Sequence, residues 1–459
     1  MENLELLPKV KEYLSSGEKE KLNQLFSTAH PVDIAGAISQ LESPEALELL
    51  KVCNPDLRAE VFSHLGADIQ VALSEMLDRH QLADLLKEMS PDDRVDLIQN
   101  LPPQKREVVL GAMAQAERED IRKLAVYEKG TTGAVMTSDY VSLSPGMTAG
   151  EALNRMRHEA PDKETIYYAY VIDGVRRLIG FVSLKDLILA DPNTHVADIM
   201  HRDVIYANAN DDQEETARKI QKYDLLAIPV VNGNRVLVGI VTHDDAMDII
   251  TQEQTEDIEK FMAIRGPHEP QMYLRSSAWR HFRQRVLWIV ILAALGLVSG
   301  YIVESFTGLL MQFAILATFM PMLADTGGNA GSQSATLVIR ALALKEIHPA
   351  DVLSILWKEL QVSILLGLVL AVLAFVRVIL FSKGNSLPHD FSVWQVGIAI
   401  STALCLQVIT STLLGALLPL FAAKIKIDPA VIASPALTTV VDITGLFLYF
   451  ITVKLMLRL

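Results

Sequence analysis

Cysteine is nearly absent from this chain. Of 459 residues only Cys53 and Cys405 carry a thiol, one in a polar region and one inside a long apolar run. They should not meet, so no disulfide framework is expected. Basic charge is scarce in the first part: residues 1–270 hold 28 Lys+Arg against 47 Asp+Glu, a balance of −19. Such a surface argues against a nucleic-acid partner. Residues 271–459 hold 13 against 8, a balance of +5. The opening Met1-Glu2-Asn3-Leu4-Glu5 has no apolar run, so no signal peptide is expected.

The second part has apolar length instead. Five stretches approach or exceed the roughly 20 residues that cross a bilayer: Val286–Val303, Phe306–Ala324, Leu360–Val376, Phe391–Ala423 and Pro429–Val453. The fourth is longer than one simple span and should tilt or extend beyond the bilayer. Arg275, Arg280, Arg283 and Arg285 precede the first run. Arg340, Lys345 and Lys358 lie between the second and third, and Lys424 and Lys426 between the fourth and fifth. The alternate connections hold only Arg377 and Lys383. The positive-inside rule then puts the acidic half in the cytoplasm and the C-terminus outside.

Residues 1–130 read as short amphipathic helices. Leu82, Leu85 and Leu86 share one face, and Ser43-Pro44-Glu45 and Ser90-Pro91-Asp92-Asp93 are helix starts. The rhythm suggests a superhelix of stacked hairpins. Within residues 131–250 one α/β pattern occurs twice. Its copies close on Leu178-Ile179-Gly180-Phe181-Val182-Ser183-Leu184-Lys185-Asp186 and on Leu237-Val238-Gly239-Ile240-Val241-Thr242-His243-Asp244-Asp245. This resembles a tandem CBS-domain pair. In that family the Ser/Thr-x-x-Asp motif often holds an adenosine ribose, and Ser183…Asp186 and Thr242…Asp245 match it. The hydroxyls could equally just cap the helices that follow. An acidic helix then joins this module to the first apolar run, within residues 246–270.

In residues 275–459 two polar features interrupt the apolar runs. Asp442 stands in Val440-Val441-Asp442-Ile443-Thr444-Gly445, where a charge needs a partner or a wet cavity and usually marks an ion pathway. Thr438 and Ser434 lie one and two turns before it on the same helical face. The second feature, Pro321-Met322-Leu323-Ala324-Asp325-Thr326-Gly327-Gly328-Asn329-Ala330-Gly331-Ser332-Gln333-Ser334, should weaken a regular helix and suits a pore wall. It lacks the P-loop lysine, which argues against ATP hydrolysis. The Gly296…Gly300 spacing suggests close helix packing.

On these motifs, with Asp428-Pro429-Ala430 before the last run, the whole chain resembles the MgtE family of magnesium channels. The resemblance implies a multi-domain fold. It would combine an all-α superhelical N-terminal domain, an α/β tandem CBS pair, a linking helix and an all-α five-helix transmembrane domain. It further implies a homodimer in the lipid bilayer of the inner membrane, with a pore on the two-fold axis and no covalent catalysis. Asp442 matches the pore carboxylate for hydrated Mg2+, with Thr438 and Ser434 beside it; relatives often have asparagine at the position of Ser434. Regulatory Mg2+ would bind Glu60, Asp92, Asp96, Asp212, Glu214, Asp224, Asp245, Asp248, Glu253, Glu256, Asp257 and Asp428. ATP, as a regulator, would bind at Tyr168, Ser183 and Asp186, although Leu225 replaces an expected aromatic. Two alternatives stay open: a proton- or sodium-coupled divalent-cation transporter with Asp442 or Asp325 titrating, and a membrane-anchored nucleotide sensor.

Overall fold

The computed structural model describes residues 3–264, 276–381, 391–429 and 434–459. It forms two compact units, Met1–Glu253 and Gln254–Leu459. The first begins with ten short helices: α1 (Asn3–Ser16), α2 (Lys19–Thr28), α3 (Pro31–Ile38), α4 (Ser43–Leu50), α5 (Pro55–Ser63), α6 (Ala67–Met76), α7 (Arg79–Glu88), α8 (Pro91–Asn100), α9 (Pro103–Ala112) and α10 (Gln115–Leu124). Helices two apart in sequence stack on one another, α1 on α3, α3 on α5, α5 on α7 and α7 on α9, as hairpins in a superhelix do. Proline opens α3, α4, α5, α8 and α9, where its missing N–H costs nothing.

A repeat too irregular to name from periodicity emerges in the contacts. Pro55 and Arg58, Pro91 and Arg94, and Pro103 and Arg106 share one spacing. Each arginine reaches back to carbonyls that the preceding helix leaves open: Arg58 Nε to Leu50 O at 2.9 Å, Arg94 Nε to Leu86 O at 2.7 Å, Arg106 Nη2 to Gln99 O at 2.6 Å. Helix ends carry unsatisfied carbonyls, and a charged donor there contributes roughly 1.5–3 kcal/mol.

Two small three-stranded sheets follow. β1 (Val141–Leu143) pairs parallel with β2 (Tyr168–Ile172), which pairs antiparallel with β3 (Leu178–Ser183). The second copy repeats this with β4 (Ala207–Asn208), β5 (Ala227–Val231) and β6 (Leu237–Thr242). The helices are α11 (Ala149–Glu159), α12 (Leu184–Leu189), α13 (Val196–Ile199) and α14 (Gln213–Lys222). The core of the helical region is continuous with that of the second copy through Ile220, Ile228, Val241, Ala246 and Ile249. After β6 the chain enters α15 (His243–Phe261), a single helix. The expected end of the linking segment, from Arg265 onward, lies outside the described residues.

The second unit holds the long helices α16 (Ala278–Ser305), α18 (Met320–Ala343), α19 (Val352–Phe381), α20 (Val393–Lys424) and α21 (Ser434–Met456), with the short α17 (Thr307–Gln312) between the first two. Among the described residues, the helices α16, α19, α20 and α21 are long and apolar enough to cross a membrane; α18 is of similar length but studded with polar residues.

The expected span Phe306–Ala324 needs correction. It breaks into α17 and a 3₁₀ turn, Ala314–Phe319, and the long helix begins only at Met320. The expected break at the glycines does not occur: α18 runs unbroken through Gly327, Gly328 and Gly331. Pro321 sits in the first turn, where proline is tolerated. The carbonyls freed upstream find donors from distant helices. Tyr449 Oη donates to Leu316 O at 3.2 Å, and Arg377 donates twice to Thr318 O at 3.1 Å while lying 4.2 Å from the Phe319 ring centre. Arg377 thus belongs to α19 and not to a connection. Gly296 and Gly300 meet nothing within this chain, so the close packing expected of them is absent among the described residues.

Candidate functional site

Two polar assemblies stand out, one in each unit. In the second unit α18, α20 and α21 come unusually close. A Cβ on Gly415 of α20 would lie 2.2 Å from the Gly331 carbonyl oxygen of α18. On the neighbouring face, a Cβ on Gly328 would lie 2.8 Å from Thr438 Cγ2 of α21. Only hydrogen fits at either place. The glycines therefore serve helix approach and not helix breaking. Gly415→Ala should cost about 1–3 kcal/mol, the usual effect of overpacking, and push α18 from α20; a thermal melt in detergent that stays unshifted would refute that fit.

Inside this junction Gln407 is fully buried. Its Nε2 donates to Leu323 O at 2.9 Å, and its Oε1 has no partner among the described residues. One turn before Gly445 lies Asp442, whose Oδ1 is also buried and without a partner there. Thr438 stands one turn before Asp442. Ser434 opens α21, but its side chain lies outside the described residues. Asp325 is exposed on α18 and accepts from Asn329 Nδ2 at 3.1 Å.

A second carboxylate was missed: Glu359 of α19 accepts from the buried Ser334 Oγ of α18 at 2.8 Å. The rule that singled out Asp442 passed over it, because Glu359 lies one residue before the third apolar run, beside Lys358. Gln407 had no such signal, being one amide in a long helix.

In the first unit, carboxylates from the helical region and from both CBS copies gather in a cleft. They are Asp92, Asp93 and Asp96 of α8, Asp139 and Glu164 of the first copy, and Asp244, Asp245 and Asp248 of α15. Burial, reinforced by Asp245 and Asp93, pushes the Asp92 carboxyl well above its ordinary range, and its Oδ1 has no partner among the described residues. Burial likewise raises Asp245 to about 6, with Asp244 and Asp93 adding repulsion against the hydrogen bonds from Thr242. Loss of water lifts Glu164 to about 7 and, with Asp93, lifts Asp96 to about 6. Both keep solvent contact, so their desolvation is partial. Loss of water and the charge of Asp244 also raise Asp248. Sequence reasoning named Asp92, Asp96, Asp245 and Asp248 but missed Asp93, Asp139, Glu164 and Asp244, which only the tertiary fold brings in.

The other expected regulatory acids lie apart. Glu60 is exposed on α5. Asp212 caps α14 by accepting from Glu214 N at 2.8 Å, Glu214 pairs with Arg218, and Asp224 occupies a left-handed turn at φ 51°. Glu253 is tied to the start of α14, accepting from Gln213 Nε2 at 2.9 Å. Glu256 and Asp428 share the Lys260 ammonium, at 2.7 and 3.1 Å. Burial works against that charge, but these two carboxylates hold Lys260 above its ordinary value. Asp257 lies on the same helix. Among the described residues no three His, Cys, Asp or Glu side chains converge as a ready metal site. The cleft nonetheless offers hard oxygen donors and an orphaned carboxylate oxygen, which is the donor chemistry Mg2+ takes.

Both Ser/Thr-x-x-Asp motifs act as caps. Ser183 and Asp186 form a reciprocal capping box, and Asp186 also accepts from His201 Nε2 at 3.0 Å. Burial opposes ionisation of Asp186, but these hydrogen bonds hold its carboxyl below the ordinary value. Ser183 nevertheless lines an apolar cleft of about 610 Å³ with Tyr167, Tyr168, Lys185, Ile188 and Leu226.

Residues 320–452 match the family MgtE, described as a divalent cation transporter; residues 29–130 match its intracellular N domain, and 133–193 and 196–252 match CBS domains. The chain is 36% identical to a Thermus thermophilus protein named magnesium transporter MgtE, over 98% of both chains. It is 32% identical to a Bacillus subtilis protein of the same name, over 97% of this chain and 96% of that one. The chain belongs to the MgtE family. MgtE relatives are named as transporters, so this is a transport family and not an enzyme family. The first unit is similar to the crystallised cytosolic domain of the Mg2+ channel MgtE in complex with ATP. That match has 37% identity and a TM-score of 0.51, over 53% of this chain and 99% of the other.

Proposed function

We propose that this chain is a magnesium-selective channel of the bacterial inner membrane. It works as a homodimer, with its first unit cytoplasmic and its C-terminus outside. Its functional parts are residues 1–130, 131–250, 246–270 and 275–459. The observation that carries this reading is Asp442: a carboxylate inside a membrane-length helix, with a buried oxygen that has no partner among the described residues. Two copies on a two-fold axis would match a divalent charge without stripping the water that Mg2+ surrenders reluctantly. Thr438 and Ser434 extend that path. Helix α16, which buries none of its residues within the chain, is free to face lipid or the second copy.

The acidic cleft is the sensor in this reading. When magnesium is scarce its carboxylates repel. Bound Mg2+ bridges the helical region to the CBS pair, through Asp92, Asp96, Asp245 and Asp248, and draws the linking helices together so that the channel closes. Glu60, Asp212, Glu214, Asp224, Glu253, Glu256, Asp257 and Asp428 lie apart from the cleft and serve as further Mg2+ ligands in this reading. Magnesium flux into voltage-clamped proteoliposomes tests the whole reading. A channel passes Mg2+ on voltage alone and slows as internal Mg2+ rises. Flux that requires a proton or sodium gradient would establish the coupled transporter instead.

The cleft at Tyr168 and Ser183 is assigned to an adenine nucleotide, which the solved relative holds in its cytosolic domain. Asp186 would trade its contacts with Ser183 and His201 for the ribose. Asp186→Ala should weaken ATP binding to the full-length protein about tenfold, the loss expected for one charged hydrogen bond, and leave basal flux intact. Unchanged affinity in calorimetry would remove Asp186 from the site.

A further inference from the structure

A second cleft, on the first CBS copy, has the opposite character to the rest of the unit. It encloses about 390 Å³ and is lined by Arg155, Lys163, Arg176 and His158, with the hydroxyls of Ser138, Tyr140 and Ser142. Glu159 is the one carboxylate in the lining. Three cations stand together there, Arg155 paired with Glu159 and Lys163 with Asp139, within a region whose overall balance is −19. Basic side chains are gathered here against the composition of their surroundings.

Each cation comes from a different element. Arg155 is on α11, where its Nε holds Glu159 at 2.8 Å. Lys163 follows that helix and reaches Asp139 at 3.5 Å, a long and loose ion pair. Arg176 sits in the turn between β2 and β3 with φ 65°, a left-handed conformation that a non-glycine residue rarely adopts. Its Nη2 donates to Tyr140 Oη at 3.0 Å, and Tyr140 Oη donates in turn to Leu237 O at 3.2 Å. That relay fixes where the guanidinium points. Arg235 has the same conformation, φ 62°, in the matching turn between β5 and β6, so the backbone shape belongs to the repeated turn and the placement of the guanidinium to this copy. Ser142 stands on β1, which is an edge strand of its sheet.

We propose that this cleft binds a small multiply charged oxyanion of the diphosphate type. Guanidinium forks pair with phosphate oxygens in two-point contacts, an ammonium supplies a further point charge, and the Ser142 hydroxyl adds a donor, since Ser138 Oγ donates to Asp120 at 2.8 Å and Tyr140 Oη to Leu237 O. A diphosphate spreads its charge over enough oxygens to engage all three cations at once. This cleft shares no lining residue with the apolar one at Tyr168, so the two sites are separate. Binding also reaches the acidic cleft. An anion that draws Lys163 away leaves Asp139 uncompensated beside Glu164, which Asp139 already repels. The anion and a divalent cation should therefore strengthen each other's binding, as linkage requires. That consequence rests on the proposed magnesium sensing, whereas the anion site does not.

The test is calorimetry on the full-length protein in detergent, with inorganic pyrophosphate as probe and no divalent cation present. Saturable binding is expected. Replacing both arginines, Arg155→Gln with Arg176→Gln, should lower affinity at least about tenfold, since each charged contact contributes on that order. Asp186→Ala should leave it unchanged. No saturable binding in the wild type, equal affinity in the double variant, or a loss confined to Asp186→Ala would each overturn the site, and none would touch the channel reading. For the coupling, inorganic phosphate should reduce the Mg2+ needed to protect the first unit from protease. A Mg2+ requirement indifferent to phosphate, in protein shown to bind pyrophosphate, would overturn the coupling.

Discussion

Asp442→Ala is expected to reduce magnesium uptake into proteoliposomes to the background of empty vesicles, while the protein still folds and elutes as wild type. In the proposed dimer the substitution removes both axial charges. What remains is a narrow path through a low-dielectric layer with nothing to offset the cost of a divalent ion. The fold should survive, because Asp442 Oδ1 makes no hydrogen bond among the described residues. A buried carboxylate without a partner is a stability cost, so the alanine variant should melt no lower than wild type. Asp442→Asn sharpens the test. The amide keeps the shape but not the charge, so residual flux should lose its preference for divalent over monovalent ions. Wild-type uptake by Asp442→Ala would sink the pore assignment. Lost uptake accompanied by a lower melting temperature would assign the residue to the fold.

The elements legible in the sequence were those with a strong period or strong punctuation. Helix starts marked by proline and acids, the duplicated strand–helix pattern, and the first, third, fourth and fifth apolar runs reappear in the fold. The second membrane segment was misread for a physical reason. Proline and glycine weaken an isolated helix, so Pro321 to Gly331 looked like the break. Packing reversed that expectation, because each glycine lets another helix approach closely enough for Gly331 to meet Gly415 and Gly328 to meet Thr438. The real break, at Ala314–Phe319, has an apolar sequence with no breaker in it; it depends on donors from Arg377 and Tyr449, 59 and 133 residues away. The candidate sites divide in the same way. Asp442 announces itself because charge is rare in an apolar run. Asp139 and Glu164 are ordinary surface acids in sequence, and they gain meaning only when folding sets Glu164 against Asp245 and Asp139 against Glu164.

Millimolar Mg2+ is expected to protect the joint between the helical region and the CBS pair, near Tyr127–Thr132, from protease. It should likewise protect the linking segment at Gln252–Gly266, the last two residues of which lie outside the described set. The acids of the cleft supply the cause. Asp92, Asp245 and Glu164 are placed so that ionising each penalises the others, and a divalent cation relieves that penalty most effectively. Neutralising Asp92 and Asp245 together, as Asn, should therefore give a joint protected without Mg2+ but a channel that no longer slows as internal Mg2+ rises. The pH dependence follows with a definite sign. Asp245 is raised from an ordinary 3.8 to about 6, and Glu164 from 4.5 to about 7. The folded unit thus binds more protons than the unfolded chain between those limits, and its stability falls as pH rises through that window. Without Mg2+, protection should be present near pH 5, lost by about pH 7.5, and restored there by Mg2+. Simple ionic screening makes a different forecast: sodium at matched ionic strength would protect as well as Mg2+. Equal protection by sodium, or an Asp92→Asn, Asp245→Asn channel that still slows with internal Mg2+, would leave the acidic cleft as a solvated surface with no part in gating.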